Sequence, residues 1–134
     1  MRDKLILDTG AILLYFAGDN RIKELFDHIT TGKAEAYTSE VNIAEFYYKT
    51  CEKFGREVAD IRNLSIRHSK ITILGIDGKL TRIAGSIKCA YRDKISLADA
   101  YTLAATKVLG GTLITTDHQL AELKLVQTKL LQIP

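Results

Sequence analysis

Short apolar runs alternate with longer helical patterns along the whole of this 134-residue chain. The run at residues 5–8 is apolar without alternation, as expected of a strand that is covered on both faces. This order of short strands and longer helices predicts βαβ units and a parallel sheet. We therefore expect an α/β fold, a three-layer α/β/α sandwich with a central parallel sheet of four or five strands, at residues 5–8, 35–38, 71–76, 112–115 and 129–131.

Helix boundaries are predicted from capping residues and apolar periodicity. Ser39 and Ser96 stand where side-chain N-caps are needed, and Gly55 and Gly110 stand where glycine ends a helix. Helices are expected at residues 11–16, 22–32, 40–54, 57–68, 78–91, 97–109 and 118–123. The expected inner face is Val41, Ala44, Tyr48 and Cys51 for the helix at 40–54, and Val58, Ile61 and Leu64 for the helix at 57–68.

The composition is that of an ordinary globular domain, with 46% hydrophobic and 26% charged residues. One domain over residues 1–134 is expected, because the length suits a single core and no linker-like segment interrupts it. The net charge of +3 is compatible with a nucleic-acid partner without indicating one. The first apolar run is too short for a signal peptide or a membrane span, so we expect a cytoplasmic protein with no membrane partner.

Four carboxylates lie beside apolar segments that should reach the core. Asp8 and Asp117 each follow a predicted strand, Asp99 lies early in a nearly all-apolar helix, and Glu45 lies in an amphipathic one. If the first and fourth strands are neighbours where the strand order reverses, Asp8 and Asp117 face each other across the crevice at the carboxyl ends of the strands. Buried carboxylates need partners, and four of them without matching Lys or Arg suit Mg²⁺ or Mn²⁺.

Each acid also has a simpler explanation when it is taken alone. Asp8 and Asp117 are placed to N-cap the helices that follow them, and Asp99 stands three residues after Ser96 in a capping-box pattern. Glu45 could pair with Lys49 one helical turn later. The occurrence of all four acids together is what favours a metal site over four unrelated caps and ion pairs.

The segments that carry these acids resemble those of the PIN-domain ribonucleases, especially the small toxins of the VapC type. The resemblance rests on four segments in order: Leu5-Ile6-Leu7-Asp8-Thr9-Gly10-Ala11, Asn42-Ile43-Ala44-Glu45, Ile95-Ser96-Leu97-Ala98-Asp99-Ala100 and Leu113-Ile114-Thr115-Thr116-Asp117. Two small departures are Gly10, where a small polar residue is common, and His118, where an Asp-Phe ending is often seen. Neither removes an acid.

The resemblance implies that Asp8, Glu45, Asp99 and Asp117 are catalytic, metal-binding acids, with Thr9 and Thr115 as polar supports. It implies an endoribonuclease that uses Mg²⁺ or Mn²⁺, with RNA as substrate and a cognate antitoxin as protein partner. A homodimer is also expected, from the resemblance and from four apolar residues taken as exposed, Ile22, Phe26, Tyr47 and Tyr48. The basic residues that could contact RNA phosphates are Arg56, Arg62, Arg67, Arg82, Lys88 and Arg92.

Other functions fit the residues less well. A phosphoryl-transfer enzyme with a nucleophilic Asp8 would need a second Asp at position 10, which is Gly here. A receiver-type phosphoacceptor would need an acidic pair near the first strand, and Asp8 has Leu7 and Thr9 beside it. A housekeeping RNA-processing nuclease, and a non-catalytic RNA- or protein-binding module, remain alternatives to a toxin. Loss of an acid would favour the module, and none is lost.

Overall fold

The computed structural model describes residues 2–133, and strands and helices alternate along it. In chain order the elements are β1 (Asp3–Leu7), α1 (Thr9–Phe16), α2 (Asn20–Thr30), β2 (Ala34–Ser39), α3 (Glu40–Phe54), α4 (Arg56–Arg67), β3 (Thr72–Leu74), α5 (Gly78–Tyr91), a single 3-10 turn (Arg92–Lys94), α6 (Leu97–Leu109), β4 (Thr112–Thr115), α7 (His118–Glu122) and β5 (Thr128–Leu130). Among these residues, no helix is long and apolar enough to span a lipid bilayer.

The five strands form one parallel sheet in the order β3-β2-β1-β4-β5. In the register of β1, Leu5 lies opposite Ala36 of β2 and opposite Thr112 of β4. From β1 the chain adds β2 and then β3 on one side of the sheet. It then crosses back and adds β4 and β5 on the other side of β1. The strand order therefore reverses between β1 and β4, which is where sheets of this kind bind ligands. The predicted α/β/α sandwich is confirmed.

Both faces of the central strands are buried, which explains their unalternating apolar sequence. Leu5, Leu7 and Ile114 pack on one side in a core with helices α1 to α4. Ile6 and Leu113 pack on the other side in a second core with helices α5 to α7. Side chains alternate in direction along a strand, so consecutive apolar residues supply the two cores in turn.

Several predicted boundaries agree with the structure to the residue, because local capping defines them. The helix at 40–54, the helix at 97–109 and the strand at 112–115 have the predicted ends. Ser39 accepts a hydrogen bond from the backbone N–H of Asn42, and Gly110 ends α6 in the left-handed conformation at φ 66°. Both features depend on a few neighbouring residues only.

The predicted inner face of α3 is wrong. The buried residues are Asn42, Ile43, Phe46 and Thr50, whereas Ala44 and Tyr48 are exposed. The helix buries a polar asparagine and a threonine, so counting apolar residues selects the wrong stripe. Burial of Asn42 is tolerated because its side chain is hydrogen-bonded by other buried groups.

The predicted inner face of α4 is also wrong. Ile61 and Leu64 are 61% and 55% exposed, and the helix instead buries Ala59 and Ile66. Ile66 joins the same core as Phe46 of α3. The small Ala59 side chain permits close approach to the neighbouring helix, which periodicity alone does not reveal.

The four apolar residues expected on the surface are mostly not exposed. Ile22 is fully buried, Phe26 stacks on Tyr15 with ring centroids 3.9 Å apart, and the Tyr47 hydroxyl donates to Asp60 Oδ1 at 2.6 Å. Tyr48 alone of the four is exposed, at 49%. These residues therefore do not support the expected homodimer.

Candidate active site

Asp8 lies at the carboxyl end of β1, where the strand order reverses. Its side chain is the N-cap of α1, and Oδ1 accepts the Ala11 backbone N–H at 2.8 Å. Its own backbone N–H donates to the Ile114 carbonyl of the neighbouring strand at 3.2 Å. The carboxylate is therefore oriented by the first turn of α1, and the backbone of Asp8 is fixed to β4.

Thr115 joins Asp8 to Asp117. The fully buried Thr115 hydroxyl donates to Asp8 Oδ2 and accepts the Asp117 backbone N–H at 2.9 Å. A single hydroxyl thus couples the ends of β1 and β4. Thr9 points elsewhere, because its hydroxyl contacts the side chain and carbonyl of Asn42.

Asp99 and Asp117 each use one carboxylate oxygen as a helix cap. Asp99 Oδ2 accepts the Ser96 backbone N–H at 3.0 Å, which completes a capping box. Asp117 Oδ1 accepts the N–H groups of Gln119 and Leu120 at 2.9 and 3.2 Å. Within residues 2–133, neither carboxylate has a hydrogen-bond partner outside its own helix cap. The capping and metal-binding interpretations are therefore compatible, since capping orients each acid and engages it with no other group.

Glu45 lies on α3 with its side chain 22% exposed. Its Oε2 atom is 3.9 Å from Lys49 Nζ, which is too long for a hydrogen bond. An exposed pair of this kind, one helical turn apart, contributes only about 0.3–0.5 kcal/mol. The Lys49 contact does not hold Glu45 firmly.

The four acids act on one another electrostatically. Burial raises the pKa of Asp8 from 3.8 to about 6, and the negative charges of Asp99 and Asp117 add to this rise. The hydrogen bonds from Thr115 and Ala11 lower the same pKa. Burial also raises the pKa of Asp99, with Asp117 and Glu45 contributing to the rise and the Ser96 hydrogen bonds opposing it. A cation among these carboxylates would reverse the raised pKa values.

The donor set fits a hydrated hard cation better than a closed metal cage. In the described part of the chain, no three His, Cys, Asp or Glu side chains are arranged so that they could hold a metal ion by themselves. Mg²⁺ keeps several waters and is held by one or two carboxylates together with substrate phosphates. The carboxylates of Asp99 and Asp117, beside the buried Asp8, meet that requirement.

A buried polar network lies beneath the acids, and its centre, Asn42, was not recognised as a functional residue from the sequence. The Asn42 side chain contacts Ser39, Thr9 and Thr102. The one indication of this role in the sequence is that Asn42 is a polar residue in an otherwise apolar stretch, three residues before Glu45. Sequence periodicity cannot show that such an amide points inward.

Several of the basic residues suggested for RNA contacts are engaged within the protein. Arg67 forms a two-point ion pair with Glu40 at 2.7 and 3.2 Å, and the Arg62 guanidinium lies over the rings of Phe16 and Phe54. Lys88 Nζ donates to the carbonyls of Arg92 and Ile95. Arg56, Arg82 and Arg92 have exposed side chains and remain the candidates for phosphate contacts.

The glycine at position 10 is explained by its neighbour. A Cβ atom at Gly10 would lie 2.1 Å from Thr116 Oγ1 and 3.3 Å from Thr116 Cβ. The start of α1 therefore packs against the end of β4 with no room for a side chain. The departure at position 10 reflects this contact and leaves the acids in place.

Comparison with known proteins identifies the family and the fold of this chain. The family model described as PIN domain matches residues 5–125. No curated protein sequence matches the chain.

Solved structures share the fold at low sequence identity. The VapBC2 complex of Rickettsia felis, bound to a promoter DNA fragment, is 15% identical, with a TM-score of 0.77 over 95% of this chain and 98% of that one. A DNA-bound VapBC of Salmonella typhimurium is 18% identical, with a TM-score of 0.72 over 95% and 97%. VapC20 of Mycobacterium tuberculosis, a toxin that cleaves the sarcin-ricin loop, is 19% identical, with a TM-score of 0.70 over 92% and 97%.

Proposed function

This chain belongs to the PIN domain family, and from that premise we propose that it is a divalent-metal-dependent endoribonuclease that hydrolyses RNA phosphodiester bonds. One observation carries the proposal: the buried Asp8 carboxylate lies at the reversal between β1 and β4, within electrostatic reach of Asp99 and Asp117. A carboxylate cluster at this point of a parallel sheet supports a cation and phosphate site.

The proposed roles follow from the contacts of each acid. Asp8, Asp99, Asp117 and Glu45 are the residues that would hold Mg²⁺ or Mn²⁺. The bound ion supplies two things, a lower pKa for an attacking water and compensation of the charge on the phosphate.

The protein's own residues orient the carboxylates. The caps on Asp8, Asp99 and Asp117 fix the carboxylates before substrate arrives, which avoids reorganisation during the reaction. The Thr115 hydroxyl holds Asp8 and the backbone of Asp117 together. Thr9 supports the same region through Asn42 rather than by contacting an acid.

The test uses purified protein free of any binding partner and a pool of single-stranded RNA oligonucleotides. We expect cleavage with Mg²⁺ or Mn²⁺, loss of cleavage with a chelator, and loss in Asp8→Asn. Asp77→Asn is the matched control, because Asp77 caps α5 through an equivalent bond to Leu80 N–H at 2.8 Å. If Asp8→Asn cleaves RNA at the wild-type rate, Asp8 is only a helix cap. If the wild-type protein neither binds Mn²⁺ nor cuts RNA, the protein is better described as a non-catalytic RNA- or protein-binding module than as a nuclease.

We further propose that this nuclease is the toxin of a toxin–antitoxin pair, acting on RNA in the cytoplasm as a single domain over residues 1–134. A structure of similar fold from Klebsiella pneumoniae is a toxin–antitoxin complex, which supports a cognate antitoxin as partner. Induced expression should arrest growth, and Asp8→Asn should abolish the arrest. Normal growth of cells with active wild-type protein would favour the RNA-processing alternative.

A homodimer remains part of the proposal on different residues from those first expected. Phe54, Ile61 and Leu64 expose large apolar side chains on α3 and α4, at 50%, 61% and 55%. Burial of such side chains against a second copy would be favourable. Sedimentation equilibrium at micromolar concentration tests this, and a monomer at all concentrations would contradict it.

A further inference from the structure

Two of the four acids, Glu45 and Asp99, lie on helices, Asp8 caps a third helix, and the three helices meet at one buried amide. Asn42 is 2% exposed, on the first turn of α3 and one turn before Glu45. Its Nδ2 atom donates to Thr102 Oγ1 at 2.9 Å and to Thr9 Oγ1 at 3.3 Å. Thr102 lies one turn after Asp99 on α6, and Thr9 is adjacent to Asp8 at the start of α1. The amide therefore bridges α1, α3 and α6.

The network is complete, because each of its hydroxyl groups has both a donor and an acceptor role. The Ser39 hydroxyl donates to Asn42 Oδ1 at 2.8 Å and accepts the Asn42 backbone N–H at 3.2 Å. The Thr102 hydroxyl donates to the Ala98 carbonyl at 3.0 Å, and the Thr9 hydroxyl donates to the Asn42 carbonyl at 3.4 Å. Fully satisfied buried networks select one arrangement of the elements that they join.

The position of this network suits control of the acids better than simple stabilisation of the core. Helix residues three apart lie on the same face, so Asn42 lies one turn beneath Glu45 and Thr102 one turn from Asp99. The sheet holds Asp8 and Asp117 through β1 and β4. Glu45 and Asp99 lie on helices, and the Asn42–Thr102 contact ties those two helices directly to each other.

We propose that Asn42 and Thr102 are positioning residues that fix the helices carrying Glu45 and Asp99 relative to each other, so that these acids lie near Asp8 around a hydrated divalent cation. The inference rests on the proposed metal site. It extends the functional set from the acids to a buried amide and hydroxyl that touch neither metal nor substrate. Groups that orient metal ligands typically change metal affinity or activity by about 10- to 100-fold when removed.

The central variant is Thr102→Val, which keeps the side-chain shape and removes the acceptor for Asn42 Nδ2. Thr102→Ala removes the same hydroxyl without adding a methyl group, in case the valine variant does not fold. Thr102→Ser keeps the hydroxyl and removes only the methyl group. The matched control is Thr106→Val, because Thr106 is equally buried one turn along α6 and its hydroxyl donates to the Thr102 carbonyl at 2.8 Å without reaching Asn42.

Mn²⁺ binding is measured by electron paramagnetic resonance without RNA, on variants shown to be folded by circular dichroism. We expect Thr102→Val and Thr102→Ala to weaken Mn²⁺ binding about tenfold. Thr102→Ser and Thr106→Val should remain within about twofold of wild type. In cleavage assays the valine variant should lower kcat more than it changes KM for RNA.

The outcomes separate the two proposals. Equal Mn²⁺ binding by wild type and Thr102→Val would overturn the positioning role and leave the proposed metal site supported. Equal weakening in Thr106→Val would overturn it in favour of general loss of core packing. If wild type binds Mn²⁺ and responds to Thr102→Val without cutting RNA, the nuclease proposal fails and the positioning role stands. If the wild-type protein binds no Mn²⁺, both the metal-dependent nuclease proposal and the positioning proposal are contradicted.

Discussion

The Thr115 hydroxyl donates to Asp8 Oδ2 across the reversal between β1 and β4, and the hydroxyl oxygen of Thr115 accepts the backbone N–H of Asp117. Thr115 is completely buried, so neither bond can be replaced by bulk water. This one side chain therefore helps to orient the Asp8 carboxylate and lowers its pKa against the larger effect of burial. Its removal leaves a buried carboxylate oxygen and a backbone N–H without their partner.

Thr115→Val should destabilise the protein by about 1–3 kcal/mol, the usual cost of unpaired buried polar groups. It should also raise the pKa of Asp8 above its value of about 6, because the Thr115 hydrogen bond lowers that pKa. Urea unfolding and carboxyl NMR titration measure the two effects. Thr115→Ser keeps the hydroxyl and should show neither, so similar behaviour of the Val and Ser variants would contradict this role.

The metal-free protein should lose stability as the pH rises from 3.8 to about 6, through the contribution of Asp8. The folded state holds the Asp8 proton more tightly than the unfolded state, so the contribution is complete below the unfolded pKa and lost through the folded pKa. A rise of this size corresponds to about 3 kcal/mol between the two ends of the window.

The measurement compares wild type with Asp8→Asn by urea unfolding in chelator at several pH values. Asn does not titrate, so the wild-type stability should fall relative to the variant across this window. Subtracting the variant removes the acids that titrate at other pH values, such as Asp19, whose hydrogen bond from Arg21 lowers its pKa to about 2. A difference that does not change with pH would show that Asp8 is not buried as described.

Gly10→Ala should destabilise the protein by about 1–2 kcal/mol, because the new Cβ atom would overlap Thr116 Oγ1. Adding Thr116→Ala removes that oxygen and should recover the loss. In the double variant the alanine is also the better helix former by about 0.8–1.0 kcal/mol. Thermal unfolding of the two single variants and the double variant gives the coupling, and strict additivity would contradict direct contact.

Lys88→Met should destabilise the protein by about 1 kcal/mol, because it removes the ammonium donor to the Arg92 and Ile95 carbonyls. Arg92 has an unusual positive φ of 47°, so the segment before Ser96 needs this support. Lys79→Met on the exposed part of the same helix is the control and should change stability by less than about 0.5 kcal/mol. A loss of RNA binding without a loss of stability would instead make Lys88 a phosphate contact.

Much of the fold could be predicted from residues that act locally. Ser39 and Ser96 begin α3 and α6, and Gly110 ends α6, because capping depends on hydrogen bonds within a few residues. The short apolar runs identified the strands because strands buried on both faces must be apolar throughout. The four acids could also be recognised in the sequence, because two of them follow predicted strands and two lie within predicted helices.

Which residues face inward was decided by tertiary packing. Periodicity predicted that Ala44, Ile61 and Leu64 were buried and gave no reason to bury Asn42. The structure exposes the first three and buries Asn42. A polar side chain can be buried only where distant groups satisfy its hydrogen bonds, and Thr9 and Thr102, which do so here, are 33 and 60 residues from Asn42.

By itself the sequence determined the order of strands and helices, their capped ends and the presence of four acids beside apolar segments, because these features arise from short-range sterics and hydrogen bonding. Only the tertiary structure decided that β1 lies against β4, that Thr115 meets Asp8, and that burial and neighbouring charges raise the pKa of Asp8. Those properties depend on desolvation and on charges brought together from distant parts of the chain, which no local pattern encodes.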